Sequence, residues 1–230
     1  MRSFAEIYAE AAGRKGGETA LEALVAEYRP KSQAELRAIP DDRWLAQMTK
    51  SVFQAGFSWK VIETKWPGFE RAFHGFAPPV NAAMSDDEFD THLKDTSIIR
   101  NARKILSVRD NAQFLCDLAA EHGAAATFFA DWPDDDFIGL LEIMKKRASR
   151  LSGETAMRLF RHMGKPSFIT SRDVTAALIG AGVIDKPPTG RKDLQAVQDA
   201  FNLWSRETGR DLTALSRTLA LSTGPEGWGR

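Results

Sequence analysis

The chain has 230 residues, 43 % hydrophobic and 27 % charged, and its 31 basic side chains balance 31 acidic ones to a formal net charge of zero. That is enough chain to bury a sizeable core in one large or two small domains, with the composition of an ordinary soluble globular protein. No apolar run reaches the roughly eighteen residues of a membrane span, Met1-Arg2-Ser3-Phe4-Ala5-Glu6 lacks the apolar core of a signal peptide, and the single Cys116 excludes an internal disulfide or a multi-cysteine zinc site. A cytoplasmic protein is expected. In chain order, Leu21, Leu24, Val25 and Tyr28 fall on one helix face. Pro40-Asp41-Asp42 opens a second helix, on which Trp44, Leu45, Met48, Val52 and Phe53 recur at helical spacing. Ser85 and Glu88 have the spacing of a capping box. Leu93, Ile98, Ile99, Ile105, Leu106 and Val108 continue helical segments, extended by Phe114, Leu115 and Leu118. Pro133-Asp134-Asp135-Asp136 starts another helix, and Gly123, Gly164, Gly182 and Gly209 sit where helices can stop. Pro187-Pro188-Thr189-Gly190 reads as a linker, and Leu194, Val197, Phe201 and Trp204 form one face of a helix that packs back. No strand alternation or hairpin turn is evident. The expectation is an all-α protein of about ten to thirteen helices: residues 1–186 form a helical domain, and residues 187–230 a C-terminal helical extension packed on it.

General nucleic-acid binders are usually basic, because neutralising phosphates and releasing counterions supplies much of their affinity. The neutral total therefore gives no sign of DNA, and the distribution of charge matters more. Acids gather at Asp86-Asp87-Glu88 and Asp134-Asp135-Asp136, while Lys145, Lys146, Arg147, Arg150, Arg158, Arg161 and Lys165 fall in one basic stretch. Residues Phe53, Gln54, Phe57, Ser58 and Trp59 mix aromatic faces with polar tips around Gly56, where a backbone can approach a ligand closely. On the residues alone, Phe53, Phe57 and Trp59 read as core, as most aromatics at helical spacing are, rather than as the walls of a pocket.

The order of residue types from Ser51 to Ala112 resembles the bacterial 3-methyladenine DNA glycosylase I family. Gln54-Ala55-Gly56-Phe57-Ser58-Trp59 is similar to that family's Gln-Ala-Gly-Leu-Ser-Trp loop. The resemblance runs on through Phe69-Glu70-Arg71-Ala72-Phe73-His74-Gly75-Phe76, Ala82-Ala83-Met84, Ile98-Ile99-Arg100-Asn101-Ala102-Arg103-Lys104-Ile105 and Asn111-Ala112, without an evident gap. It implies a helix-hairpin-helix DNA glycosylase-like helical domain. The implied activity is base-excision repair, in which the N-glycosidic bond of an alkylated, 3-methyladenine-like purine is hydrolysed after the nucleotide is flipped into a pocket. Ser51, Phe53, Gln54, Ser58 and Trp59 are then the base pocket, with Trp59 the stacking wall, and Gly56 and Phe57 the wedge that fills the vacated stack.

Three departures from the family stand out. The family carries a glutamate where this chain has Ser51, so either specificity has shifted or another acid has taken over. The family's N-terminal Tyr-His-Asp-Asn-Glu-Trp-Gly segment has no counterpart around Tyr8 or Tyr28, the only tyrosines. Its zinc site of two Cys and two His is absent too, since one cysteine is present and His74, His92, His122 and His162 show no ligand clustering. No metal or cofactor is expected.

Lys145-Lys146-Arg147-Ala148-Ser149-Arg150-Leu151-Ser152-Gly153-Glu154-Thr155-Ala156 is similar to the family's Lys-Lys-Arg-Gly-Phe-Lys-Phe-Val-Gly-Thr-Thr segment, a helix-hairpin-helix spanning about 145–164 here. Tight-turn amides and a helix N-terminus direct donors at a phosphate in such a hairpin, which makes Arg150, Ser152, Gly153 and Thr155 the expected DNA-backbone contacts. Ala148 replaces a family glycine, and a basic solvated helix end followed by a capped helix is the competing account. Many superfamily members use an aspartate near the next helix start to stabilise the oxocarbenium ion. Asp173 lies in that region as the catalytic candidate, and a first-turn acid behind an N-cap at Ser171 or Thr170 is the alternative. Gly153-Glu154-Thr155 offers no Schiff-base lysine, so the enzyme is expected to be monofunctional. A monomer is expected, with double-stranded DNA containing damaged bases as its partner and no membrane association. A non-catalytic DNA-damage binder and a helical interaction protein without a DNA role are the alternatives.

Overall fold

The structure, a computed structural model, describes residues 1–223. The helices in chain order are α1 (Phe4–Lys15), α2 (Glu18–Ala26), α3 (Gln33–Arg37), α4 (Asp41–Gln54), α5 (Trp59–Ala72), α6 (Pro78–Ala82), α7 (Asp86–Lys94), α8 (Ala102–His122), α9 (Ala125–Asp131), α10 (Phe137–Arg147), α11 (Gly153–Met163), α12 (Arg172–Gly180), α13 (Arg191–Thr208) and α14 (Leu212–Thr223). Short 3-10 turns occupy His74–Phe76 and Asp134–Asp136. The described residues contain no strand, so the fold is all-α. The fourteen α-helices among the described residues exceed the expected number because α3 and α6 have five residues each, too few to show a period.

Local chemistry accounts for many of the helix ends. Ser3 with Glu6 and Ser32 with Glu35 form complete capping boxes at α1 and α3. At α7 only half of the expected box forms: Ser85 accepts the Glu88 amide, while the Glu88 carboxylate lies 2.7 Å from Nε2 of His74. Gly123 and Gly209 terminate α8 and α13, as the sequence suggests. Ile98 and Ile99 are not helical, contrary to expectation. The Asp95 carboxylate accepts the Ser97 amide at 2.7 Å, a local turn that competes with helix continuation, and Ile98 is buried from a loop.

The chain divides into two compact units. The first comprises residues 1–31, 133–139 and 164–230. In it α14 packs against α1, α2 and α12, and Phe137, Phe168, Phe201 and Trp204 form an aromatic core. Helices α13 and α14, the described part of the expected 187–230 extension, belong to this unit; residues 224–230 lie outside the described residues. The second unit comprises residues 32–132 and 140–163. Its centre is α4, packed on α8, α11 and α5. Trp44, Leu45, Met48, Val52 and Phe53 project from α4 into a core shared with Phe69, Phe129 and Phe160.

Candidate functional site

In the second unit a cavity of about 350 Å³ opens between two walls. Ser51, Gln54, Ala55 and Trp59 come from the end of α4, its C-cap and the start of α5. Glu154, Thr155, Arg158 and His162 face them from α11. The volume is at the lower end of the usual range for small-molecule pockets. Trp59 keeps 48 % of its surface exposed, so its ring is not core. It meets the His162 ring edge-on, with centroids 6.1 Å apart and planes at 63°.

The other loop residues separate. Phe53, expected in the pocket, is completely buried and packs edge-on against Phe69. It is a core residue: half a turn round α4 from Trp44, it packs on Phe69 of α5 and does not line the cavity. Phe57 is exposed at the loop tip, beside Gly56 with its φ of 97°, a left-handed backbone that favours glycine. Ser58 is the N-cap residue of α5, yet its side chain makes no cap hydrogen bond. Ser51 is buried in the wall, within 3.4 Å of the Gln47 amide nitrogen, which donates to its hydroxyl.

A lysine holds the loop. Lys104 of α8 is only 6 % exposed, and its ammonium donates to the carbonyls of Val52 at 2.7 Å and Ala55 at 2.6 Å. These carbonyls end α4, where a helix leaves acceptors free and its dipole favours a cation. The same ammonium lies 4.7 Å from the centre of the Phe57 ring, a cation–π contact. Burial draws the Lys104 pKa below the ordinary lysine value, and the positive charge of Arg150 adds to the effect.

The turn between α10 and α11 is held by a neutral clamp. The buried Asn111 side chain, also on α8, accepts the Ser149 amide at 2.7 Å and donates to the Ser149 carbonyl at 3.1 Å. Next to it Arg150 adopts φ 61°, uncommon for a non-glycine residue. Gly153, at φ 54°, then opens α11. Arg150, Ser152 and Gly153 are exposed around the turn, and Thr155 lines the cavity. The sequence-level basic stretch is broken up. Arg147 is bidentate to Glu121 at 2.7 and 3.0 Å, Arg158 is paired with Glu154, and Lys165 is buried in the first unit, donating to Asp134. Lys145, Lys146 and Arg150 stay on the surface.

Asp173 lies in the first unit, in the first turn of α12, behind Ser171, whose hydroxyl accepts the Val174 amide. It does not line the cavity. The capped-helix account of this segment describes its geometry. Sequence reading missed Lys104, Asn111 and His162. The available signals were polar residues seven apart on the apolar side of α8, and the four-residue spacing of Glu154, Arg158 and His162 on α11.

The family model for methyladenine glycosylase matches residues 36–179, more than half of the chain and including both cavity walls. The chain belongs to the methyladenine glycosylase family. DNA-3-methyladenine glycosylase 1 of Escherichia coli (strain K12) is 35 % identical over 60 residues, which are 26 % of this chain and 32 % of that relative. The chain therefore spans about a third of the length of this curated relative. A crystal structure of 3-methyladenine DNA glycosylase I aligns at 22 % identity with a TM-score of 0.46, covering 59 % of this chain and 80 % of the other. A tyrosine-to-phenylalanine variant of 3-methyladenine DNA glycosylase I in complex with 3-methyladenine aligns at 19 % identity with a TM-score of 0.47, covering 59 % and 78 %. Among the described residues of this family member no three His, Cys, Asp or Glu side chains are grouped to hold a metal ion. The residues present do not fit a zinc site, and no step below uses one. No helix of the described residues is long and apolar enough to cross a membrane.

Proposed function

We propose that this family member is a monofunctional DNA glycosylase of base-excision repair, hydrolysing the N-glycosidic bond of alkylated purines in double-stranded DNA. The observation that carries the reading is a cavity with the Ser51–Trp59 segment on one wall and α11, the helix after the hairpin, on the other. A glycosylase must take its base out of the stack and grip the backbone close by, so these two features have to meet. In this reading Phe57 and Gly56 enter the gap left by the flipped nucleotide, and Trp59 stacks on the base. Arg150, Ser152 and the amides at Gly153 and Thr155 grip a phosphate at the start of α11. Water adds through oxygen to the sugar C1′ and gives up a proton, while the purine departs with the electrons of the glycosidic bond. A purine alkylated at a ring nitrogen is cationic in DNA and leaves as a neutral base, so little acid assistance is needed. The Gly153-Glu154-Thr155 start of α11 supplies no amine for a Schiff base. The strand is therefore left intact at an abasic site. We place the enzyme in the cytoplasm as a monomer.

The test is base release from duplex DNA methylated with dimethyl sulfate, with products resolved by chromatography. Release of 3-methyladenine with strands that break only after alkali supports the proposal. Retention of methylated DNA without release assigns the chain as a damage binder. Neither release nor retention makes it an interaction protein.

A further inference from the structure

Resting on the glycosylase reading, we infer that His162 reads the polar edge of the extrahelical base and, through the charge state of its ring, sets the cavity's acceptance of cationic purines. The α11 wall offers three polar groups at four-residue spacing, Glu154, Arg158 and His162, and two of them satisfy each other. The Arg158 guanidinium donates to the Glu154 carboxylate from Nε at 2.9 Å, so acid and base cancel within the wall. On the opposite wall the Ser51 hydroxyl already accepts from Gln47. His162 faces the cavity beside Trp59, the two rings meeting edge-on, with Thr155 on the same wall and Gln54 on the opposite one. A base seated in this cavity has Trp59 on one wall and the His162 imidazole on the other.

The charges around His162 fix which form of the ring the base meets. Arg158 and Arg161 flank it on α11, and Lys50 faces it from α4. From α5 Glu63 faces it, with its carboxylate accepting from the Lys50 ammonium at 2.8 Å. Partial burial, then Arg158, Lys50 and Arg161, hold its pKa below the ordinary histidine value, and Glu63 opposes them only in part. These surroundings favour the uncharged form of the ring over the charged one. A neutral imidazole accepts a hydrogen bond from the exocyclic amino group of an adenine-type base and exerts no repulsion on a cation. Protonated, it loses the acceptor and repels the cation. The substrate class that fits is an N-alkylated, cationic purine with a donor-bearing edge.

The experiment uses the full chain with His162→Gln, which accepts without titrating, and His162→Leu, which does neither. On methylated duplex DNA, wild-type kcat/KM for 3-methyladenine release should fall as pH drops below the ordinary histidine range. His162→Gln should flatten that fall, and His162→Leu should lose about tenfold at pH 7.5, the scale of one hydrogen bond. Independently of turnover, free 3-methyladenine should move the His162 ring proton resonance, and His162→Leu should bind it about tenfold more weakly. Binding with that pattern but no base release sinks the glycosylase reading and leaves His162 as base reader. A pH profile unchanged in His162→Gln overturns the assignment, as does 3-methyladenine binding equally to His162→Leu or not binding to the wild type.

Discussion

The wall formed by α4 and α5 ends in a loop whose aromatic tips, Phe57 and Trp59, stand in solvent. The wall formed by α11 is polar, and the turn that precedes it bends through a left-handed Arg150. Both loops are held by the same helix. Lys104 and Asn111 sit seven residues apart on α8, two turns along one face. The first clamps the aromatic loop with a buried charge, and the second clamps the hairpin with a neutral amide. In the proposed reading both surfaces contact one DNA, and their attachment to one helix would set their spacing in advance.

Removing the clamps should have the largest effects and tell them apart. Asn111→Ala leaves the Ser149 amide and carbonyl without their partner, and should cost about 2 to 3 kcal/mol in denaturant unfolding. Lys104→Met should cost less, about 1 to 2 kcal/mol, because relief of a desolvated ammonium offsets part of the lost bonding. If Lys104→Met proves the more destabilising, the charged clamp is the stronger one and the comparison reverses.

Trp59→Ala comes next and separates binding from folding. Base stacking on an aromatic side chain is worth about 1 to 3 kcal/mol, so affinity for lesion-containing duplex should fall by that much. The unfolding midpoint should hardly move, since the ring is half exposed. A large loss of stability without a binding defect would return Trp59 to the core.

Arg150→Ala probes the hairpin wall more gently. Loss of one phosphate contact should weaken binding alike on every sequence and make the salt slope shallower by roughly one unit. An unchanged slope, measured by titration at several salt concentrations, would make Arg150 a solvated turn residue.

The comparison also explains what the sequence could reveal. Helix period and stop glycines were legible because α4, α8 and α13 each bury one face and end on local chemistry. The Gln54–Trp59 loop stood out because its residue types keep register with a known family over a long stretch. Phe53 misled because α4 is buried on more than one side, so a ring next to the cavity-lining Gln54 packs on Phe69 instead, and residue type alone does not distinguish a core aromatic from a pocket one. Lys104 and Asn111 were silent because their partners are backbone groups about fifty and forty residues away, joined only when α8 packs. The basic stretch looked like one patch because Glu121 and Asp134, which neutralise Arg147 and Lys165, lie 26 and 31 residues earlier.

The smallest expected effect falls outside both walls. Asp173 is a first-turn acid of α12, in a segment whose start is already fixed by the Ser171 cap, and its backbone carbonyl accepts from Thr223 at 2.8 Å. An acid there favours the helix dipole by about 0.3 to 1 kcal/mol. If that is its whole role, Asp173→Asn should lower stability by no more than this amount. It should also change release of 3-methyladenine, a leaving group already activated by its charge, by less than about twofold, or ~0.4 kcal/mol of barrier. A neutral lesion is the sharper probe, because its bond is not labile and an oxocarbenium-stabilising carboxylate would matter most there. Loss of about a hundredfold or more on methylated DNA at unchanged stability, roughly 2.7 kcal/mol of transition-state stabilisation, would make Asp173 catalytic. The chemistry would then need a group from beyond the cavity that α8 organises.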